Sequence, residues 1–470
     1  MEHTKKKQEE TRSIRDMTEG SPAGLIIAFA LPMLIGTLFQ QFYSMVDAFM
    51  VGRYMGVDSL AAVGSTSAIF FMVNGFVIGN SAGFAIPVAQ KFGAGDYTGL
   101  RRFTANAAWL GILFSVVITG GVCALTGKIL VWMQTPQAIM AETYTYIIII
   151  FAGIPVMYLY NLTASIIRAL GDSKTPLYFL MIAAVLNIVL DYVSIGVLHM
   201  GVAGPAYATV ISQVVSGMLC LIYMGKKFAI LHMSREEAAF SRHHCQVLLS
   251  MGIPMGLQYS ITAIGSVILQ TAVNGLGAVS MASVTAGQKL SSFFVAVTDA
   301  LGMAMATYCG QNVGAGKLDR VWQGVKAATL MGLVYAAAIF VFMIFAGGAL
   351  PRLFVDPKAA NVDQVVSQAR TFLLWNSAFY WALIFVNVWR NSIQGMGFSG
   401  FSICAGICEM FARAFIGFAA VPAFGFVAAC TASPLAWIAA TAFLIPGLWH
   451  CLKRLERVFQ SQKTKDYYGS

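Results

Sequence analysis

The chain predicts an all-α integral membrane protein with twelve transmembrane helices in two pseudo-symmetric six-helix bundles. Three observations carry this expectation. Of 470 residues, 58% are hydrophobic and only 11% charged, with a mean hydropathy of +0.72, whereas a globular domain is about half apolar and a quarter charged. Apolar runs of about twenty residues recur along the chain, each long enough to cross a hydrocarbon core of about 30 Å. Finally, the chain repeats itself. Ala30-Leu31-Pro32-Met33 returns about 222 positions later as Gly252-Ile253-Pro254-Met255, and Gly93-Ala94-Gly95 returns as Gly314-Ala315-Gly316. Gly56, Ala61 and Val63 likewise recur as Gly277, Ala282 and Val284.

The runs fall in order at roughly 23–50, 60–90, 103–125, 140–167, 176–198 and 203–224. The second set is 246–272, 281–310, 323–349, 370–392, 401–421 and 425–450. Run 1 follows a polar start, and run 2 closes on the first Gly-Ala-Gly. Run 3 follows Arg101-Arg102, run 4 ends at Arg168, run 5 follows Lys174, and run 6 ends before Lys226-Lys227. Run 7 opens the repeat, run 8 closes on the second Gly-Ala-Gly, and run 9 follows Lys317 and Arg320. Run 10 ends at a Gly-containing break, Gln394 to Ser399, that aligns with Arg168 to Ser173 after run 4; runs 11 and 12 complete the set. Many Gly, Ala and Ser within the runs allow close helix contact. Pro32, Pro87, Pro155 and Pro254 each remove a backbone donor and kink a helix, and Pro32 is a candidate bending point for alternating access.

The expected organisation is a cytoplasmic tail (1–20), an N-lobe of helices 1–6 (21–224), a cytoplasmic linker (225–245), a C-lobe of helices 7–12 (246–450) and a second cytoplasmic tail (451–470). An even number of spans per half makes the repeats parallel, with their axis along the membrane normal. Most of the 30 Lys and Arg fall at the termini and the even-to-odd connections, including Lys5, Lys6, Lys7, Arg12, Arg15, Lys226, Lys227 and Arg390. The opposite side has Arg53, Lys128, Arg352, Lys358 and Arg370. Positive charge marks the cytoplasmic face, so both termini are expected inside. The net charge of +10 is thus a statement of topology and of contact with lipid headgroups. No basic folded domain suggests nucleic acid. The polar N-terminus does not resemble a signal peptide. The eight cysteines are scattered, Cys404 and Cys408 sharing a helical face, and form neither a disulfide framework nor a metal pattern. The Gly-Ala-Gly turns lack the preceding strand and the Gly-Lys-Ser/Thr of a phosphate loop.

Ionisable side chains within a span are costly and usually face water or a partner. Asp47, Asp191, Lys289, Asp299, Glu409 and Arg413 are in that position. Asp47 lies in the outer part of helix 1 and Asp191 at central to outer depth in helix 5, with Asn187 one turn before it on the same face. Thr209 of helix 6 is at comparable depth. Two carboxylates, an amide oxygen and a hydroxyl suit a small cation, and a buried carboxylate pair equally suits loading and unloading of a proton. The competing interpretation is that each Asp satisfies local polar groups as helix glue. Glu409 and Arg413, four apart, are expected to pair structurally. Asp299 and Lys289 are candidate cavity residues about 15 Å apart along helix 8. Asp299 would attract a cationic compound or serve a hydrogen-bonded structural role.

These residues, set within Phe42-Tyr43-Ser44-Met45-Val46-Asp47-Ala48-Phe49-Met50-Val51-Gly52 and Asn187-x3-Asp191 on a six-plus-six frame, resemble the multidrug and toxic compound extrusion (MATE) family over residues 20–450. The resemblance implies a cation-coupled antiporter exporting amphipathic, often cationic organic compounds by alternating access. It assigns Asp47, Asn187, Asp191 and Thr209 to coupling with H⁺ or Na⁺. It further implies no cofactor, no metal beyond Na⁺ at those residues, action as a monomer, and residence in the bacterial cytoplasmic membrane. Some members carry coupling carboxylates on helices 7 and 10. Here helix 7 reads Gly256-Leu257-Gln258 and helix 10 offers Asn376, Asn387 and Asn391, so this chain resembles the branch that couples through its N-lobe.

Three other functions compete with this reading. A lipid-linked precursor flippase of the same broader fold would favour several cavity arginines, whereas only Arg413 lies well inside an expected span. A membrane-embedded enzyme would have only the Asp47–Asp191 pair as its centre, with no zinc or nucleophile motif. A sensor would need a soluble domain to signal with.

Overall fold

The computed structural model describes residues 16–353 and 361–468. Lys5, Lys6, Lys7, Arg12, Arg15 and Lys358, with part of each terminal tail, lie outside them. All regular elements among the described residues are helical. Ten helices are long and apolar enough to cross a membrane, and two bent pairs bring the total to as many as twelve. They are α1 (Pro22–Met55), α2 (Ser67–Gly93, preceded by the short helix Val57–Ser65), α3 (Tyr97–Trp132), α4 (Met140–Ala152 and Ile154–Ala169), α5 (Lys174–Asp191), α6 (Ala203–Lys227), α7 (Arg242–Asn274), α8 (Ala278–Gly314), α9 (Leu318–Ala346), α10 (Val362–Ala378 and Tyr380–Gly395), α11 (Gly400–Phe415) and α12 (Phe426–Tyr468).

The helices belong to two compact units, one containing Leu31–Gly256 and the other Met17–Ala30 with Leu257–Ser470. The division falls inside α1 and inside α7, close to Pro32 and Pro254, the two prolines of the repeated motif.

In the first unit the second segment of α4 is central, packing on α2, α3 and α6. Tyr158 on this segment is buried and its hydroxyl donates to Asn80 of α2. Gly83 of α2 permits close passage of α7: a Cβ there would lie 2.5 Å from Gly252 Cα. The segment before α7 is tied down on α3. Arg101 donates to Glu237 at 2.6 and 2.8 Å, and Trp109 Nε1 donates to Ala238 O at 3.0 Å. The Arg101 guanidinium and the Ser234 N–H hold the Glu237 carboxyl down at about 2. Asp96 caps α3 by accepting from Gly99 N at 2.8 Å, and the hydrogen bond from the Lys91 ammonium, followed by that from Gly99 N, holds its carboxyl below the usual range.

In the second unit the corresponding segment of α10 packs on α8, α9 and α12. Tyr380 is buried there, its hydroxyl 2.7 Å from Ser291 Oγ. Met17 N donates to Gln311 Oε1 at 2.9 Å, fixing the chain ahead of α1 onto α8.

The two units repeat details that composition does not reveal. α4 bends by 43° and α10 by 49° at matching positions. α5 runs on into a π-helix, Tyr192–Val197, as α11 does through Ile416–Ala420. Left-handed glycines recur in pairs: Gly56 and Gly277 (φ 93° and 94°), Gly95 and Gly316 (69° and 70°), Gly171 and Gly397 (91° and 95°), and Gly201 and Gly425 (61° and 64°). A side chain at these turns would meet the steric cost that glycine lacks.

Two features differ from the sequence expectation. α12 continues beyond residue 450 to Tyr468, because the residues from Cys451 to Tyr468 are rich in charged and amide helix formers and include no Gly or Pro. Arg390, expected at the basic end of helix 10, lies within the helix, which runs to Gly395.

Candidate functional site

The first unit gathers polar groups where α1, α5 and α6 meet. Asn187 and Asp191 stand one turn apart on α5 and are 2% and 0% exposed. Asp47 of α1 is half-buried, and its carboxyl and that of Asp191 act directly on each other. Tyr43 and Tyr146 are close enough to sense both charges. Neither Asp191 oxygen accepts a hydrogen bond, nor does Asp47 Oδ1, and both amide atoms of Asn187 are unpartnered. Buried polar atoms are nearly always hydrogen-bonded, so such a concentration calls for an explanation.

Asn187 and Thr209 line a narrow cavity of about 10 Å³ with Tyr43, Ser212 and Gln213, room for about one water-sized sphere. Ser212 Oγ and Gln213 Oε1 are also buried without partners. The four residues singled out from sequence therefore form a carboxyl pair and an adjoining amide–hydroxyl cavity, linked through the Asn187–Asp191 face of α5. Sequence reasoning missed Tyr43, Tyr146, Ser212 and Gln213. Thr209, Ser212 and Gln213 share a helical face by their three- and four-residue spacing, which was the available signal. Asp191 also stands at the junction of α5 with its π-helix, a local geometry frequent at functional sites.

The second unit holds a different cluster. Asp299 is exposed on α8 and accepts from Asn387 Nδ2 at 2.8 Å. Arg390 donates to Asn387 Oδ1 and to Glu409 Oε1, both at 3.0 Å, and Arg413 donates to Glu409 Oε2 at 3.3 Å. Glu409 thus serves two guanidiniums, where the sequence pointed only to Arg413. The Arg390 Nε and Arg413 Nη1 donors are buried without partners. Lys289 is exposed on α8, and among the described residues no ion pair joins it to Asp299. No group of three His, Cys, Asp or Glu able to hold a metal occurs among the described residues.

Comparison with known proteins bears on this arrangement. The MatE family model matches residues 32–193 and 254–419, one segment in each half of the repeat. A probable multidrug resistance protein of Bacillus subtilis, YpnP, is 33% identical over 386 residues, covering 80% of this chain and 83% of the relative. An FAD transporter of Shewanella oneidensis is 24% identical, covering 72% and 76%. Among solved structures, an outward-facing MATE family transporter of the MOP superfamily superimposes with a TM-score of 0.86 over 95% of this chain and 99% of that one at 21% identity, which establishes the fold. By family match and by a relative above 30% identity over most of its length, this multi-pass membrane protein belongs to the multidrug and toxic compound extrusion family of transporters.

Proposed function

We propose that this protein is a cation-coupled antiporter that exports amphipathic, often cationic organic compounds across the bacterial plasma membrane, with both termini cytoplasmic. The observation that carries the coupling is Asp191. It is fully buried beside Asp47, and neither of its carboxylate oxygens accepts a hydrogen bond. Two neighbouring carboxyls without a donor between them repel each other unless a proton or small cation is shared there. Asn187 and Thr209 add oxygens of the hard type that Na⁺ prefers, while a single proton on the pair converts repulsion into a hydrogen bond. Loading either ion changes what α1 and α5 hold in common, and that difference in binding free energy is what can bias a transporter between two conformations. The name of the YpnP relative supports a drug-like substrate. Retention of Arg390 and Arg413 by Glu409 disfavours a flippase that grips a pyrophosphate headgroup with those guanidiniums.

The test is efflux of a fluorescent organic cation from proteoliposomes under a proton gradient and, separately, a sodium gradient. Transport should respond to one gradient, identifying the ion. Asp191→Asn should abolish gradient-driven efflux while the protein keeps its melting temperature to within a few degrees. Wild-type efflux from that variant would refute coupling through this pair.

A further inference from the structure

α12 changes character near Trp449. Before it the helix is apolar, with Ile445 53% exposed, and after it the helix carries Lys453, Arg454 and Arg457 on exposed positions. Trp449, His450, Lys453, Arg454 and Arg457 recur at spacings of one, three or four and so share one helical face. Together they line an open recess of about 430 Å³ along one side of α12. Two of its cations are held in place by rings: Lys453 Nζ lies 3.6 Å over Trp449, and the Arg454 guanidinium 5.5 Å over Phe398 of the turn before α11. Such contacts fix a charged head without neutralising it. Among the described residues no carboxylate forms an ion pair with any of these three cations.

We propose that this recess binds the phosphate headgroup of an anionic phospholipid. Three cations against one neighbouring carboxylate, Glu456, leave a net positive charge that selects an anion and repels the organic cations proposed as cargo. Trp449, 62% exposed, marks the level at which a helix leaves hydrocarbon for headgroups, and the exposed Ile445 one turn earlier offers an apolar path for an acyl chain. A soluble phosphate would use the cations but not that path. Basic pockets at helix ends on the cytoplasmic face are suited to anionic headgroups, and the inference stands apart from the coupling site in the other unit.

The experiment is native mass spectrometry of the full-length detergent-solubilised protein titrated with phosphatidylglycerol, cardiolipin or phosphatidylcholine of matched acyl chains, and with inorganic phosphate. Anionic lipid should bind saturably and phosphatidylcholine and phosphate far more weakly. Arg454→Gln with Arg457→Gln should weaken anionic-lipid binding about thirtyfold, at about fivefold per basic residue near the surface. Arg454→Lys with Arg457→Lys should retain most of it. Lys226→Gln with Lys227→Gln, which removes two cations from the end of α6, should leave it unchanged. Equal binding of phosphatidylcholine, or equal loss in the Lys226/Lys227 control, would overturn the site in favour of general surface attraction. Inorganic phosphate binding as tightly as lipid would overturn the lipid assignment, and unchanged binding in the glutamine pair would overturn the site itself.

Discussion

At the residue scale the two units treat intramembrane charge in opposite ways. In the first, Asp47 and Asp191 stand together, and among the described residues no Lys or Arg pairs with either. In the second, Glu409 is held by both Arg390 and Arg413, with side chains 4%, 13% and 7% exposed, so the buried carboxylate is paired within the protein by two guanidiniums. Removing one partner of a buried ion pair strands the other, at a cost of about 3–5 kcal/mol. Glu409→Gln strands two guanidiniums and is expected to lower the melting temperature in detergent sharply. Glu409→Gln combined with Arg390→Gln and Arg413→Met removes the stranded charge and should recover most of the loss. If the triple variant melts as low as the single one, Glu409 matters for a reason other than pairing. The pairing of Glu409 with Arg413 was legible from their four-residue spacing. The part of Arg390 was not, because it depends on α10 running to Gly395 and on which face of that helix meets α11, neither of which a hydropathy pattern resolves. The carboxylates of the candidate site were legible as charges in apolar runs, while Tyr43 and Tyr146 were hidden among 17 tyrosines that share the same apolar composition.

At the element scale the glycines divide into those that admit a neighbouring backbone and those that face open space. Gly83 belongs to the first kind: an added Cβ would lie 2.5 Å from Gly252 Cα and 2.8 Å from Met251 O, and backbone atoms cannot step aside. Gly120 of α3 belongs to the second, with nothing within 4 Å. Gly83→Ala should therefore destabilise by about 1–3 kcal/mol through overpacking, while Gly120→Ala should be neutral or stabilise by up to about 1 kcal/mol through helix propensity. Melting of the two variants side by side checks the contrast, and equal shifts would show that the close passage of α2 and α7 is absent in the membrane. The number and order of the spans were readable because each buries or exposes a long apolar run. The bends in α4 and α10 were less so: Pro155 in the first turn of the second α4 segment is a visible signal, but Trp381 at the matching position in α10 carries none, and Phe379 stands where α4 has Gly153. The π-helices after Asp191 and Arg413 likewise have no compositional mark, since one extra residue in a turn leaves hydropathy unchanged.

At the scale of the whole molecule, repetition and charge bias together predict a topology. The paired left-handed glycines show that each half makes its turns at the same places, so an even number of spans per half returns the chain to its starting side. Most basic residues lie on that side, and the displacement of Arg390 into α10 removes one of them without altering the bias. The positive-inside tendency then predicts that the segment between α6 and α7 is cytoplasmic and the turn between α3 and α4 outside. Gln134 and Met233 are exposed on these two connections. In a background lacking the eight native cysteines, Gln134→Cys should react with a membrane-impermeant maleimide in intact cells. Met233→Cys should react only after permeabilisation. The opposite pattern would invert the molecule in the membrane and reverse the direction of proposed transport, while labelling of both in intact cells would contradict an even number of spans in the first half. Because the basic residues in question are spread over several connections, neutralising Lys226 and Lys227 alone should leave the pattern intact.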